Sequence, residues 1–81
     1  MLLRASPNPM NREVNLRWEG NDLHGTSVVE VRDLLGKEVT HWNVPAASGH
    51  AVWRAGETFG GVYFVRLTVG ERSATTKVVV R

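Results

Sequence analysis

A strict two-residue alternation in the last third of the chain limits the fold more than any other feature. Residues 59–81 read FGGVYFVRLTVGERSATTKVVVR. Tyr63, Val65, Leu67 and Val69 share one parity; Val62, Phe64, Arg66 and Thr68 share the other. Successive side chains of a strand point to opposite faces, so this spacing predicts a half-buried strand entering a core. The chain then turns at Val69-Gly70-Glu71-Arg72 and returns with Ala74, Thr76, Val78 and Val80 on one face. The sequence stops as this strand finishes, which suggests a true C-terminus and a segment that a partner reads.

Similar segments recur upstream. Glycine, asparagine, aspartate and proline punctuate the chain every eight to twelve residues or so, which is an all-β signal. Short strands are predicted over 2–5, 13–19, 26–32, 37–44 and 50–54, ahead of the final pair. Val14, Leu16 and Trp18 face inward in the second strand, and Val29 and Val31 in the third. The register of 50–54 stays open, since both Val52 and Trp53 can be buried. Prolines at 7 and 9 end the first strand by fixing φ and removing two backbone donors. Asp33-Leu34-Leu35-Gly36 reads as a tight hairpin turn. The aspartate carboxylate accepts from backbone N–H groups, and glycine takes the left-handed conformation. About seven short strands predict an antiparallel β-sandwich of immunoglobulin-like type, although hairpins alone would also allow a small barrel. Gly61-Val62-Tyr63 favours the sandwich. A tyrosine at the start of such a strand can fill core with its ring and return its hydroxyl to the preceding loop. The expected core includes Val31, Tyr63, Val65, Leu67 and Val78.

At 81 residues the chain makes one domain of modest stability. It has no cysteine, hence no disulfide framework and no thiolate metal site. The formal net charge is +2, and the ten basic residues are scattered among acidic ones. Nucleic-acid binding needs a clustered basic face, so none is expected. No apolar run approaches a membrane span, and Met1-Leu2-Leu3-Arg4 is too short for the apolar region of a signal peptide. His24, His41 and His50 lack ligand spacing, so no metal is expected. No serine sits in a nucleophile-elbow setting, no carboxylates are paired, and Gly60-Gly61 lacks the helix and lysine of a phosphate loop. Neither catalysis nor a cofactor is expected. Trp18 is in phase with the core. Trp42, read as lying opposite the Val39 face, is a candidate exposed aromatic for a sugar-binding face.

Four segments, in order, resemble one family. Ser6-Pro7-Asn8-Pro9-Met10-Asn11 is similar to a PNP motif followed by an apolar residue. Val29-Glu30-Val31-Arg32-Asp33-Leu34-Leu35-Gly36-Lys37-Glu38-Val39 is similar to a VxVxDxxGxxV hairpin. Residues 59–67 resemble an LxxGxYxxxL stretch, and Lys77-Val78-Val79-Val80 resembles a closing lysine and apolar strand. Together they resemble the type A C-terminal sorting domains of type IX secretion substrates, related to the immunoglobulin-like domain of the flagellar hook-capping protein. Arg32 stands where an aromatic is frequent, and Gly60 where proline is common.

The resemblance implies a non-catalytic signal spanning residues 1–81 at the end of a larger secreted protein. Its partners would be an upstream cargo domain and the translocon, shuttle and sortase-like components. Cargo would pass through the periplasm and across the outer membrane to the cell surface or medium, after which a sortase-like peptidase would remove the domain. Lys77, Val78, Val79, Val80 and Arg81 are the candidate recognition residues. Pro7, Asn8, Pro9, Asp33, Gly36, Gly61 and Tyr63 are the structural motif. Exposed strand edges offer a route to self-association. The alternative is an adhesive or carbohydrate-binding module of an extracellular enzyme, favoured by an exposed aromatic row.

Overall fold

The alternating segments pair into two facing sheets. The computed structural model describes residues 1–56 and 58–81, which form seven strands: β1 (Leu2–Ser6), β2 (Glu13–Glu19), β3 (Thr26–Asp33), β4 (Glu38–Pro45), β5 (His50–Arg54), β6 (Gly61–Val69) and β7 (Arg72–Val80). A 3₁₀ turn at Ala46–Ser48 links β4 to β5. One sheet has the order β1-β2-β5 and the other β4-β3-β6-β7, with every neighbouring pair antiparallel. The chain crosses between sheets after β2, β4 and β5, the immunoglobulin-like arrangement that closes a core between two layers.

Period-two burial builds that core. Val14, Leu16 and Trp18 of β2, Val29 and Val31 of β3, and Tyr63, Val65, Leu67 and Val69 of β6 are all buried. Val78 and Val80 of β7 complete the four-stranded sheet's inner face. Ala51 and Trp53 are buried in β5 while Val52 is half-buried, which fixes the register of that strand. The core's polar groups are paired. Ser27 Oγ donates to the Val44 carbonyl at 2.6 Å, and Trp18 Nε1 donates to the Ala46 carbonyl at 2.9 Å.

Trp42 corrects the sequence expectation. Its register partner is Val29, and Thr40 lies opposite Val31, so residues 40, 42 and 44 take the inner face of β4. Trp42 is half-buried and packs against the core, whereas Val39 faces out. Residues opposite each other across a ladder share a face. Trp18 and Trp53 are also buried, so the tryptophans form no exposed row.

The β3–β4 turn follows its residues. Gly36 N–H donates to the Asp33 carbonyl at 3.0 Å, and Asp33 Oδ1 accepts from the Leu35 and Lys37 amides at 2.9 Å each. Gly36 sits at φ +85°, where a Cβ is disfavoured, and this lets β4 return alongside β3.

Candidate recognition site on the last strand

β7 is the edge of its sheet. It pairs with β6 from Arg72↔Val69 to Val80↔Gly61. Val78 and Val80 point into the core, while Lys77 and Arg81 are exposed. The other edge of the strand would present unpaired backbone groups to solvent. Toward its end, the Lys77 carbonyl, the Val79 amide and carbonyl, and the Arg81 amide are already occupied.

The occupant is the segment after β1. Asn8 Nδ2 donates to the Lys77 carbonyl at 2.8 Å, and Asn8 Oδ1 accepts from the Val79 amide at 3.0 Å. One carboxamide thus supplies the donor and acceptor that a neighbouring strand would. Two residues on, the backbone continues the pattern: Met10 N–H donates to the Val79 carbonyl at 2.8 Å and Arg81 N–H to the Met10 carbonyl at 2.9 Å. Met10 forms a parallel bridge with Val80, and its side chain is 0% exposed. Pro7 and Pro9 flank the asparagine and lack N–H groups of their own, so the side chain does the pairing at this point. Both peptide bonds preceding these prolines are cis.

The segment before β6 supports the same end of β7. Tyr63 donates its hydroxyl to the Phe59 carbonyl, and its ring meets Trp53 edge-on with centroids 5.6 Å apart. This fixes the crossover from β5 to β6. Gly60 runs against the chain end. A Cβ there would lie 3.3 Å from both the Val80 carbonyl oxygen and the Arg81 carbonyl carbon, a tight contact that a shift of a few tenths of an ångström in the chain end would relieve. Gly61 follows at φ +149°, a backbone region left almost entirely to glycine.

Over residues 5–81 the sequence matches the family described as the secretion system C-terminal sorting domain. The chain belongs to this family. The family is that of type IX secretion sorting domains, whose role is export to the cell surface or medium. Among solved structures, the domain is similar to dimeric latent PorU from Porphyromonas gingivalis, with a TM-score of 0.72 and 21% identity. That alignment covers 96% of this chain and 9% of the PorU chain, and at such identity it speaks for a shared fold. None of the curated proteins matches the sequence.

In this sorting domain the fold gathers most of the residues singled out from sequence. Asn8 touches the 77–79 backbone, and Gly61 and Tyr63 pair directly with Val80 and Val78. Asp33 lies beside Tyr63 in the ladder, so the Asp33–Gly36 turn stands at the same end. Lys77 and Arg81 project from it, and among the described residues neither makes an ion pair. Two contributors escaped the sequence reading. Met10 appeared only as the apolar residue after the PNP motif, and Gly60 only as a departure from proline and as half of a rejected phosphate loop. An apolar residue following two prolines was the available signal for Met10. Gly60 carried none, because its role depends on which segments meet in space.

Proposed function

We propose that this domain is the export signal of a larger protein, attached at its N-terminal side to a cargo. The signal directs that cargo from the periplasm through the type IX translocon and is then removed by a sortase-like peptidase. The observation that carries the reading is the family match over residues 5–81, which spans the PNP motif and the last strand together. The domain acts as a binding module rather than a catalyst, recognised by translocon, shuttle and sortase-like components. Lys77, Val78, Val79, Val80 and Arg81 divide the work. Val78 and Val80 hold the strand in the core, and Lys77 and Arg81 present exposed side chains to a receptor. The alternation of β7 leaves the outward backbone groups of Ser73 and Thr75 for strand addition, which gives the domain a route to pair with itself.

A reporter fused in front of residue 1 and expressed in a type IX-competent bacterium tests this. The intact domain is expected to carry the reporter to the surface or medium. Retention in the periplasm would overturn the proposal. Lys77→Ala, with or without Arg81→Ala, separates recognition from folding, because the backbone bond from Arg81 to Met10 is kept and circular dichroism reads the fold independently.

A further inference from the structure

Among the described residues, charged side chains that face each other across a ladder are opposite in sign in every row but one. Glu13 stands opposite Arg54, Glu30 between His41 and Arg66, and Glu38 opposite Arg32. On the three-stranded sheet, however, Arg4 stands opposite Arg17, and Arg17 opposite His50. Like charges directly opposite each other destabilise a sheet. The chain neighbours Leu3, Leu16, Trp18 and Ala51 are buried in the core, so the row of three lies on the outer face. Trp18 N–H donates to the Gly49 carbonyl at 3.0 Å, so even positions of β2 bond to β5 and odd ones to β1. Arg4 and Arg17 are thus a bonded pair, with Cα atoms about 5.5 Å apart. Both line one shallow depression, together with Leu2, Trp18, Glu19 and Gly49.

The two guanidinium groups have no protein partner. Arg12, Arg32, Arg54, Arg66 and Arg72 each donate to a carbonyl, a carboxylate or a hydroxyl. Among the described residues, Arg4 and Arg17 form no ion pair. Two carboxylates share their face. Glu13 is held by Arg54 at 3.0 Å, and Glu19 pairs with neither arginine of the row. His50 flanks the pair, with Nε2 3.3 Å from Asn15 Oδ1. Both arginines are exposed, so no core packing offsets their repulsion. A ladder that opposes its charges everywhere else breaks its own rule here, and such breaks mark functional sites.

We propose that Arg4 and Arg17 form a binding site for a phosphate group, free or as a monoester. Each guanidinium is a planar fork that fits two oxygens. Two adjacent forks call for an anion with more than two oxygens and more than one charge. A phosphate meets both demands and a carboxylate neither. Bound between the forks, it turns their repulsion into attraction. Glu19 lies one row away and Glu13 two rows away on the other side, so an extended polyanion would cross a carboxylate in either direction. The site is thereby limited to a single phosphate. The proposal stands apart from the sorting reading, since its test measures ligand binding and not export.

The isotope-labelled 81-residue chain is titrated with inorganic phosphate and with glycerol phosphate, potassium chloride holding the ionic strength constant. Saturable shifts are expected in the amide and side-chain Nε signals of Arg4 and Arg17. Binding of both compounds upholds a phosphate site, and binding of glycerol phosphate alone upholds it as a monoester site. Acetate should give no saturable shift. Arg4→Gln and Arg17→Gln should each weaken binding about tenfold, the loss of a charge-assisted contact. Arg66→Gln, on the other sheet, should leave it unchanged. Melting gives a second readout. Without ligand, Arg17→Gln should melt no lower than the parent, because a repulsion is gone. Phosphate should raise the parent's melting temperature and leave that of Arg17→Gln unmoved. Four results would overturn the proposal: shifts that chloride alone reproduces, shifts centred on other arginines, undiminished binding by the folded Arg4→Gln and Arg17→Gln variants, or a ligand-free Arg17→Gln that melts well below the parent.

Discussion

Replacing Asn8 by alanine isolates the side chain that stands in for a strand. The variant loses the bond from Nδ2 to the Lys77 carbonyl and the bond from the Val79 amide to Oδ1. A hydrogen bond contributes about 0.5–1.5 kcal/mol net, and both of these are reachable by water, so the lower half of the range applies and the pair sums to about 1–2 kcal/mol. A domain of this size shifts by about 4–8 °C per kcal/mol, so the melting temperature should fall by roughly 4–16 °C. Urea denaturation gives the free energy. Amide exchange locates the effect, because Val65 in the sheet centre should lose only the roughly 5–30-fold protection that global destabilisation removes, while the Val79 amide, freed of Oδ1, opens locally and should lose more. Asn8→Asp supplies the contrast. It keeps an acceptor for the Val79 amide but puts an oxygen against the Lys77 carbonyl, so Val79 should stay protected while stability falls by about 1 kcal/mol. Unchanged Val79 exchange in Asn8→Ala would refute the strand-mimic role.

Other outcomes follow from the same geometry. Tyr63→Phe should cost about 1 kcal/mol through the lost bond to the Phe59 carbonyl, and Tyr63→Ala about 3–5 kcal/mol through the lost ring, both read by chemical denaturation. Met10→Ala should cost about 2–5 kcal/mol, because the side chain is fully buried. Gly60→Ala should cost about 1 kcal/mol or less and loosen the Arg81 amide in exchange experiments, since the added methyl meets the Val80 and Arg81 backbone at 3.3 Å and the chain end shifts to admit it. Lys77→Ala should change stability by less than about 0.5 kcal/mol while lowering export of a fused reporter.

Much of the fold was legible because burial here follows parity. Tyr63, Val65, Leu67 and Val69 are buried as their spacing demands, and Asp33 and Gly36 build the turn their chemistry allows. The face of β4 was misread for a physical reason. Val39 and Trp42 have opposite parity, both are apolar, and only the ladder to β3 decides between them. The site was legible in composition and not in connection. The prolines and the last strand each stood out, but no local rule links Asn8 to Lys77. That bond spans 69 positions, and Met10 is buried by a strand it meets only after the whole chain has folded back.

That long reach bears on when the domain can exist during synthesis. Asn8 and Met10 wait for partners at 77, 79 and 81, so this end of the sandwich cannot close until these residues have left the ribosome. Contacts so distant in sequence also form late and slowly. A nascent chain lacking them would leave Met10 exposed and β6 without its neighbour, open to proteases and chaperones. The first motif of the domain thus acts as a check on its last, and a prematurely terminated polypeptide would lack these bonds and lose the stability they contribute.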